Sequence, residues 1–256
     1  MSRHDKFIER ERYDARAHSK LVGMTSFEDA LLGSQTLPVY LQAPYVFYEK
    51  MIGKLLGANH SVLELGAGSG LHTLALLQTG AQVTASDISA KSLSLLRQRF
   101  NNSPYNISTQ IADMENLPFE SSSFDVIACA GSLSYGAPNL VDAEIRRVLR
   151  LGGMLILVDS LNHNPIYRLN RWIHYLRGNR SKSTLKNMPD LLRIKALQVG
   201  FSNFEVQYFG AVSFAIPGIA RLFGENNARA VSDRIDQLVG VRRSAFKFVV
   251  VAQGFA

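Results

Sequence analysis

Cysteine is nearly absent: Cys129 is the only one in 256 residues. No disulfide can form within the chain, so core burial has to hold the fold, and a reducing cytoplasm is the expected setting. Long apolar runs are also missing, since stretches such as residues 154–158 fall far short of the roughly 20 residues that cross a bilayer. Residues 1–11 are charged and lack the apolar block of a secretory leader. No Cys/His cluster has zinc-ligand spacing, so no metal is expected. Acidic residues are the scarcer charge, 21 against 28 Lys and Arg, for a net +7. That excess is local: residues 163–195 sum to +7 while residues 21–162 sum to −4, so one segment carries the basicity that otherwise suggests nucleic acid or membrane surfaces.

Apolar strands alternate with amphipathic helices from residue 61 onward. The spacing predicts strands at 61–65, 81–87, 107–113, 124–130 and 154–160. Helices are expected at 72–78, closed by Gly80, after Ser89 as N-cap, and from Asn139 until Gly152-Gly153 stops it. Near-continuous apolar strands separated by helices imply a doubly wound, mostly parallel sheet with helices on both faces, which places ligands at the strands' carboxyl ends. Residues 203–214 and 246–252 read as two further strands completing a seven-stranded sheet, with a helix near 228–238. The expected organisation is a single domain: an irregular N-terminal lid region at 1–43, a core at 44–160, a basic helical cap at 161–200 and closing strands at 201–256.

Glu64-Leu65-Gly66-Ala67-Gly68-Ser69-Gly70 lies between a strand and a helix, where glycines permit a tight turn and close approach of a ligand to the backbone. A dinucleotide fingerprint would place Gly or Ala at position 71, where Leu71 stands, so NAD or FAD is disfavoured. Asp87 ends the second strand, where a carboxylate accepts hydrogen bonds from ribose hydroxyls, and Asp113 ends the third. Taken singly, either acid also reads as a cap at a strand exit.

These residues, with Asp113-Met114-Glu115-Asn116-Leu117-Pro118-Phe119, Ser123-Phe124-Asp125-Val126-Ile127 and the run from Glu144 to Gly153, resemble the class I S-adenosylmethionine-dependent methyltransferases, in the type 11 branch, over roughly residues 55–160. The resemblance implies a Rossmann-like fold and S-adenosyl-L-methionine as cofactor, leaving S-adenosyl-L-homocysteine as product. By the same resemblance Glu64, Gly66, Gly68 and Gly70 would hold the methionine portion, Asp87 the ribose hydroxyls, Asp113 the adenine amino group and Met114 the adenine face, with Ala67 and Ile88 also in the cofactor site. Gly131 and Ser132, with Leu133, would border the sulfonium, and Tyr13 would belong to a lid.

The expected chemistry is O-methylation of a small molecule or glycan precursor. His163, after the fifth strand, is the expected base, although it reads equally as a histidine bonding the turn before Pro165. His18, Arg168 and Arg171 are expected to meet the acceptor, with an anionic one among the readings. The turn Asn162-His163-Asn164-Pro165 and its basic helix are also similar to methyltransferases of bacterial polysaccharide pathways. The basic segment, which includes Arg177, Arg180, Lys182, Lys186, Arg193 and Lys195, reads as a solvated helix face, a clamp for an anionic acceptor, or an RNA or membrane contact. An RNA methyltransferase is therefore one alternative, and a non-catalytic S-adenosylmethionine-binding module is another.

Overall fold

The computed structural model describes residues 1–21, 27, 31, 33–177, 181–211, 216–238 and 241–256. Its strands are Ser61–Leu65 (β1), Gln82–Asp87 (β2), Ser108–Ile111 (β3), Phe124–Ala130 (β4), Leu149–Ser160 (β5), Phe201–Phe209 (β6) and Lys247–Phe255 (β7). They form one sheet in the order β3-β2-β1-β4-β5-β7-β6. The first five pair in parallel, and β7 runs antiparallel to both β5 and β6.

The helices are Arg3–Leu21 (α1), Val39–Leu55 (α2), Thr73–Leu77 (α3), Ala90–Phe100 (α4), Pro138–Val148 (α5), Pro165–Leu176 (α6), Lys182–Lys186 (α7), Leu191–Leu197 (α8), Ile216–Phe223 (α9) and Glu225–Leu238 (α10). Successive strand residues point to opposite faces of a sheet, so the chain sorts its apolar side chains into two cores. Leu63, Leu65, Ile127 and Cys129 join Val141, Ile145 and Val148 of α5 on one face. Val62, Val126 and Ala128 join Tyr48 and Ile52 of α2 and Leu93, Leu96 and Phe100 of α4 on the other. Both faces are covered, which explains why β1 and β4 read as near-continuous apolar runs. No described helix is long and apolar enough to cross a membrane.

Ser89 caps α4 as expected, accepting a bond from the Ser92 N–H at 3.0 Å. Other boundaries moved. The strand expected from 154 begins at Leu149, which pairs with Phe124, and a register irregularity before the Val126–Met154 pair accommodates Gly152-Gly153. The N-terminal region expected to be irregular contains the long helix α1, and the basic segment expected as one helix contains α6, α7 and α8.

Arg193 of α8 staples that segment to the core. Its guanidinium meets Asp142 of α5 at 3.0 Å and donates to the Leu133 carbonyl, just past β4, at 2.9 Å. Both partners of the ion pair are buried. Removing one charge strands the other, so Arg193→Ala is expected to lower unfolding free energy by about 3–5 kcal/mol. Urea unfolding of Arg193→Ala, Asp142→Ala and the double variant checks this: the double variant should lose less than the sum of the single losses.

Candidate active site

The carboxyl ends of β1, β2 and β4 surround a cavity of about 350 Å³. Its floor is the chain reversal after β1, where Gly66, Gly68 and Gly70 all take left-handed conformations with φ of +68°, +57° and +81°. Side chains are disfavoured there. A Cβ on Gly66 would fall 2.4 Å from that of Ser132, and one on Gly70 3.0 Å from Leu96 Cγ. Gly68 differs: a Cβ there would meet nothing within 4 Å, because Gly68 borders the cavity.

Asp87 locks this loop to β2. Its Oδ2 accepts the Gly68 N–H at 2.9 Å and its Oδ1 the Ser89 N–H at 2.8 Å. One backbone donor per oxygen leaves acceptor capacity for the cavity that Asp87 lines. Burial pushes the Asp87 carboxyl above its ordinary value, against the pull of these two N–H groups. Glu64 lies deeper, accepting from Thr73 Oγ1 at 2.6 Å. Desolvation pushes Glu64 up to about 7, with the Thr73 bond opposing it.

Ala67, Ile88, Asp113, Met114, Gly131 and Ser132 also line the cavity, whereas Glu64 and Gly70 sit behind it. Ser132 Oγ donates to the Leu65 carbonyl at 2.8 Å, tying the β4 exit to the β1 loop. Cys129 beneath them is held as a thiol, its pKa raised to about 12 by burial. Asp113 accepts the Glu115 N–H at 3.0 Å and is ion-paired with Lys6 of α1. Helix α1 lies along the cavity through Lys6, Glu9 and Tyr13. Tyr13 donates to the Tyr135 hydroxyl at 2.5 Å, with the rings edge to face. Glu9 accepts from Ser181 N–H and Thr184 Oγ1 at 3.1 and 2.8 Å.

The basic candidates lie elsewhere. His163 is exposed in the loop after β5, Arg168 is exposed on α6, and neither lines the cavity. Arg171 is buried and donates to the Leu161 carbonyl at 2.8 Å. The side chain of His18 and the whole of Arg180 lie outside the described residues.

A different histidine faces the cavity. His72, two residues after Gly70, is 9% exposed and lines it together with Tyr45 of α2. Its Nδ1 lies 3.1 Å from Glu49 Oε1, while Ser34 Oγ donates to Glu49 Oε2 at 2.9 Å. The imidazole stacks on Tyr45 with centroids 4.7 Å apart. Lys247 of β7 stands 4.8 Å from the centroid of the same tyrosine. Sequence reading missed this group because Glu49 is 23 residues away on another helix; the available signal was a histidine entering the helix directly after the glycine loop.

Residues 63–157 match the family model described as a methyltransferase domain. A demethylmenaquinone methyltransferase of Tropheryma whipplei is 36% identical over 128 residues, 45% of this chain and 51% of that protein. A sterol 4-C-methyltransferase of Caenorhabditis elegans is 34% identical over 120 residues, 45% of this chain and 36% of that protein. The chain thus spans about half the length, or less, of these curated relatives. Geranyl diphosphate C-methyltransferase of Streptomyces coelicolor, solved with S-adenosyl-L-homocysteine, superposes with a TM-score of 0.56 at 16% identity, covering 84% of this chain and 80% of that one. At that identity the likeness shows a shared fold.

Glu64 gives the site a pH signature. The unfolded chain releases this proton near 4.5, and the folded protein holds it to about pH 7. The penalty of burying the charge is absent below the lower value, grows between the two and is complete above the upper one. Glu64→Gln is therefore expected to stabilise the ligand-free protein by up to about 3 kcal/mol at mildly alkaline pH and not at all in acid below the unfolded value. Thermal unfolding at both pH values checks the difference.

Proposed function

Because residues 63–157 belong to the methyltransferase domain family and the chain has its class I, Rossmann-like fold, we propose that it methylates a hydroxyl of a small-molecule acceptor, using S-adenosylmethionine. The observation that carries this reading is the Asp87-braced glycine loop on the cavity floor. Its residues fit the cofactor: Asp87 retains acceptor capacity toward the cavity, Gly68 presents bare backbone, and Ile88 and Met114 offer apolar surface suited to a flat base. Asp87 would take the ribose hydroxyls and Gly66 to Gly68 the methionine portion, with Glu64 and Gly70 supporting the loop from behind. Asp113 would take the adenine edge in company with Lys6, its present partner. Tyr13 and the rest of α1 would serve as the lid. When bound, S-adenosylmethionine supplies a methyl group activated by a positive sulfur.

The acceptor has to be aligned and relieved of its proton. His72 suits that work. With Nδ1–H donating to Glu49, Nε2 is left as the acceptor of a proton, and Glu49 stabilises the imidazolium that forms. Stacking on Tyr45 and the Ser34 bond to Glu49 fix the ring and its partner. His72 thus replaces His163 as the proposed base. Arg171 and Arg193 of the basic segment are turned into the protein and leave the acceptor to the segment's other cations.

A methyl-labelled cofactor offered with a panel of phenols, hydroquinones and sugars tests the proposal. A methyl ether as product supports it. A carbon-methylated product would instead align the chain with the sterol and geranyl diphosphate enzymes, and no transfer to any small molecule would overturn the assignment. With a working acceptor, His72→Gln is expected to lower kcat by about 10²–10⁴-fold. Glu49→Gln should show a smaller loss, and both variants should bind S-adenosylhomocysteine within a few-fold of wild type.

A further inference from the structure

Helix α6 turns two very different faces to its surroundings. Tyr167 and Arg171, one turn apart, are buried against the body of the protein, where Tyr167 donates to the Gly210 carbonyl. Ile166, Leu169, Trp172 and Leu176 fall on the opposite side at helical spacing and are 46%, 58%, 50% and 61% exposed. Large apolar side chains in an unbroken row on a solvent face mark an interaction surface, whereas singly scattered ones do not.

The charges around the row indicate what it meets. Arg168 and Arg177 lie at helical positions on either side of it, and Lys182 and Lys186 are exposed on α7, which packs on α6. Among the described residues these four cations have no ion-pair partner. Among the described residues, the segment's Arg171 and Arg193 are instead buried in internal bonds. Position in the fold adds a third element. Helix α6 follows β5 at the end of the sheet where the cavity lies. Helix α9 follows β6, which runs in the same direction as β5, and it exposes Leu222 and Phe223 beside Arg221.

We propose that this end of the molecule docks on an anionic lipid surface, with α6 lying in the plane of the interface. The aliphatic and indole side chains enter the headgroup boundary, and the flanking arginines and lysines meet lipid phosphates. A row of Ile, Leu and Trp is the wrong chemistry for a nucleic-acid backbone, which is tracked by continuous positive charge. The proposal stands independently of methyl transfer.

Trp172 is the only tryptophan in the chain, so its fluorescence reports on the stripe alone. Mixed phosphatidylcholine–phosphatidylglycerol vesicles are expected to shift its emission to the blue and, when brominated lipids are included, to quench it. Pure phosphatidylcholine vesicles should do much less. Leu169→Gln with Leu176→Gln, which keeps the reporter, should abolish the shift, and Arg168→Glu with Arg177→Glu should weaken vesicle binding at least about tenfold. Each altered residue is exposed, so the circular dichroism of the variants should match wild type. The proposal is overturned by absence of a shift with anionic vesicles, or by a shift that both double variants retain. A lipid-free shift that grows with protein concentration would also overturn it, assigning the stripe to a second copy of the chain. So would an equal shift with an RNA oligonucleotide.

Discussion

The bond from the Gly68 N–H to the Asp87 carboxylate, 2.9 Å long, is the constraint around which the site is built. It fixes a loop that glycine alone makes accessible, with three left-handed residues in five, to the end of the neighbouring strand. A carboxylate held this way remains an acceptor for a ligand, and its backbone partners oppose part of the cost of burial. Ser132 closes the same loop from the β4 side through the Leu65 carbonyl. The cavity floor is therefore braced by both strands flanking β1.

Around that floor, parts distant in sequence converge because the parallel sheet delivers the loops of β1, β2 and β4 to one end. Helix α2 packs on the sheet face that carries Val62 and Val126, which brings Glu49 and Tyr45 to His72. Helix α1 reaches Asp113, Tyr135 and Ser181 from one continuous segment, so the N-terminal helix and the basic segment are mechanically joined across the cavity. The site thus combines a rigid floor with walls drawn from α1, α2 and the loops after β2, β3 and β4.

Much of this was legible in the residues. Strands β1 and β4 begin and end where their apolar runs do, Ser89 caps the helix it was expected to cap, and Asp87 and Asp113 stand at strand exits on the cavity. Local signals of this kind, namely glycines, caps and periodicity, are written in contiguous sequence. What escaped depends on packing between distant segments. The His72–Glu49 pair exists only because α2 crosses the glycine-loop helix, and no spacing encodes it. His163 occupies the expected strand exit, but the chain carries its side chain out to solvent. The start of β5 was misplaced because glycines that normally end a helix here sit inside a bulged strand, and basicity counted along the chain overstated the free charge, since two of its arginines are internal.

The central claim is that the Asp87-braced loop binds S-adenosylmethionine, and calorimetric titration tests it most directly. S-adenosylmethionine or S-adenosylhomocysteine should bind the wild-type chain with one-to-one stoichiometry, NAD should not, and Asp87→Ala should weaken the sulfur nucleotides by at least about tenfold, as expected for loss of charged hydrogen bonds. Binding of NAD alone, or undiminished S-adenosylhomocysteine binding by Asp87→Ala, would contradict the account.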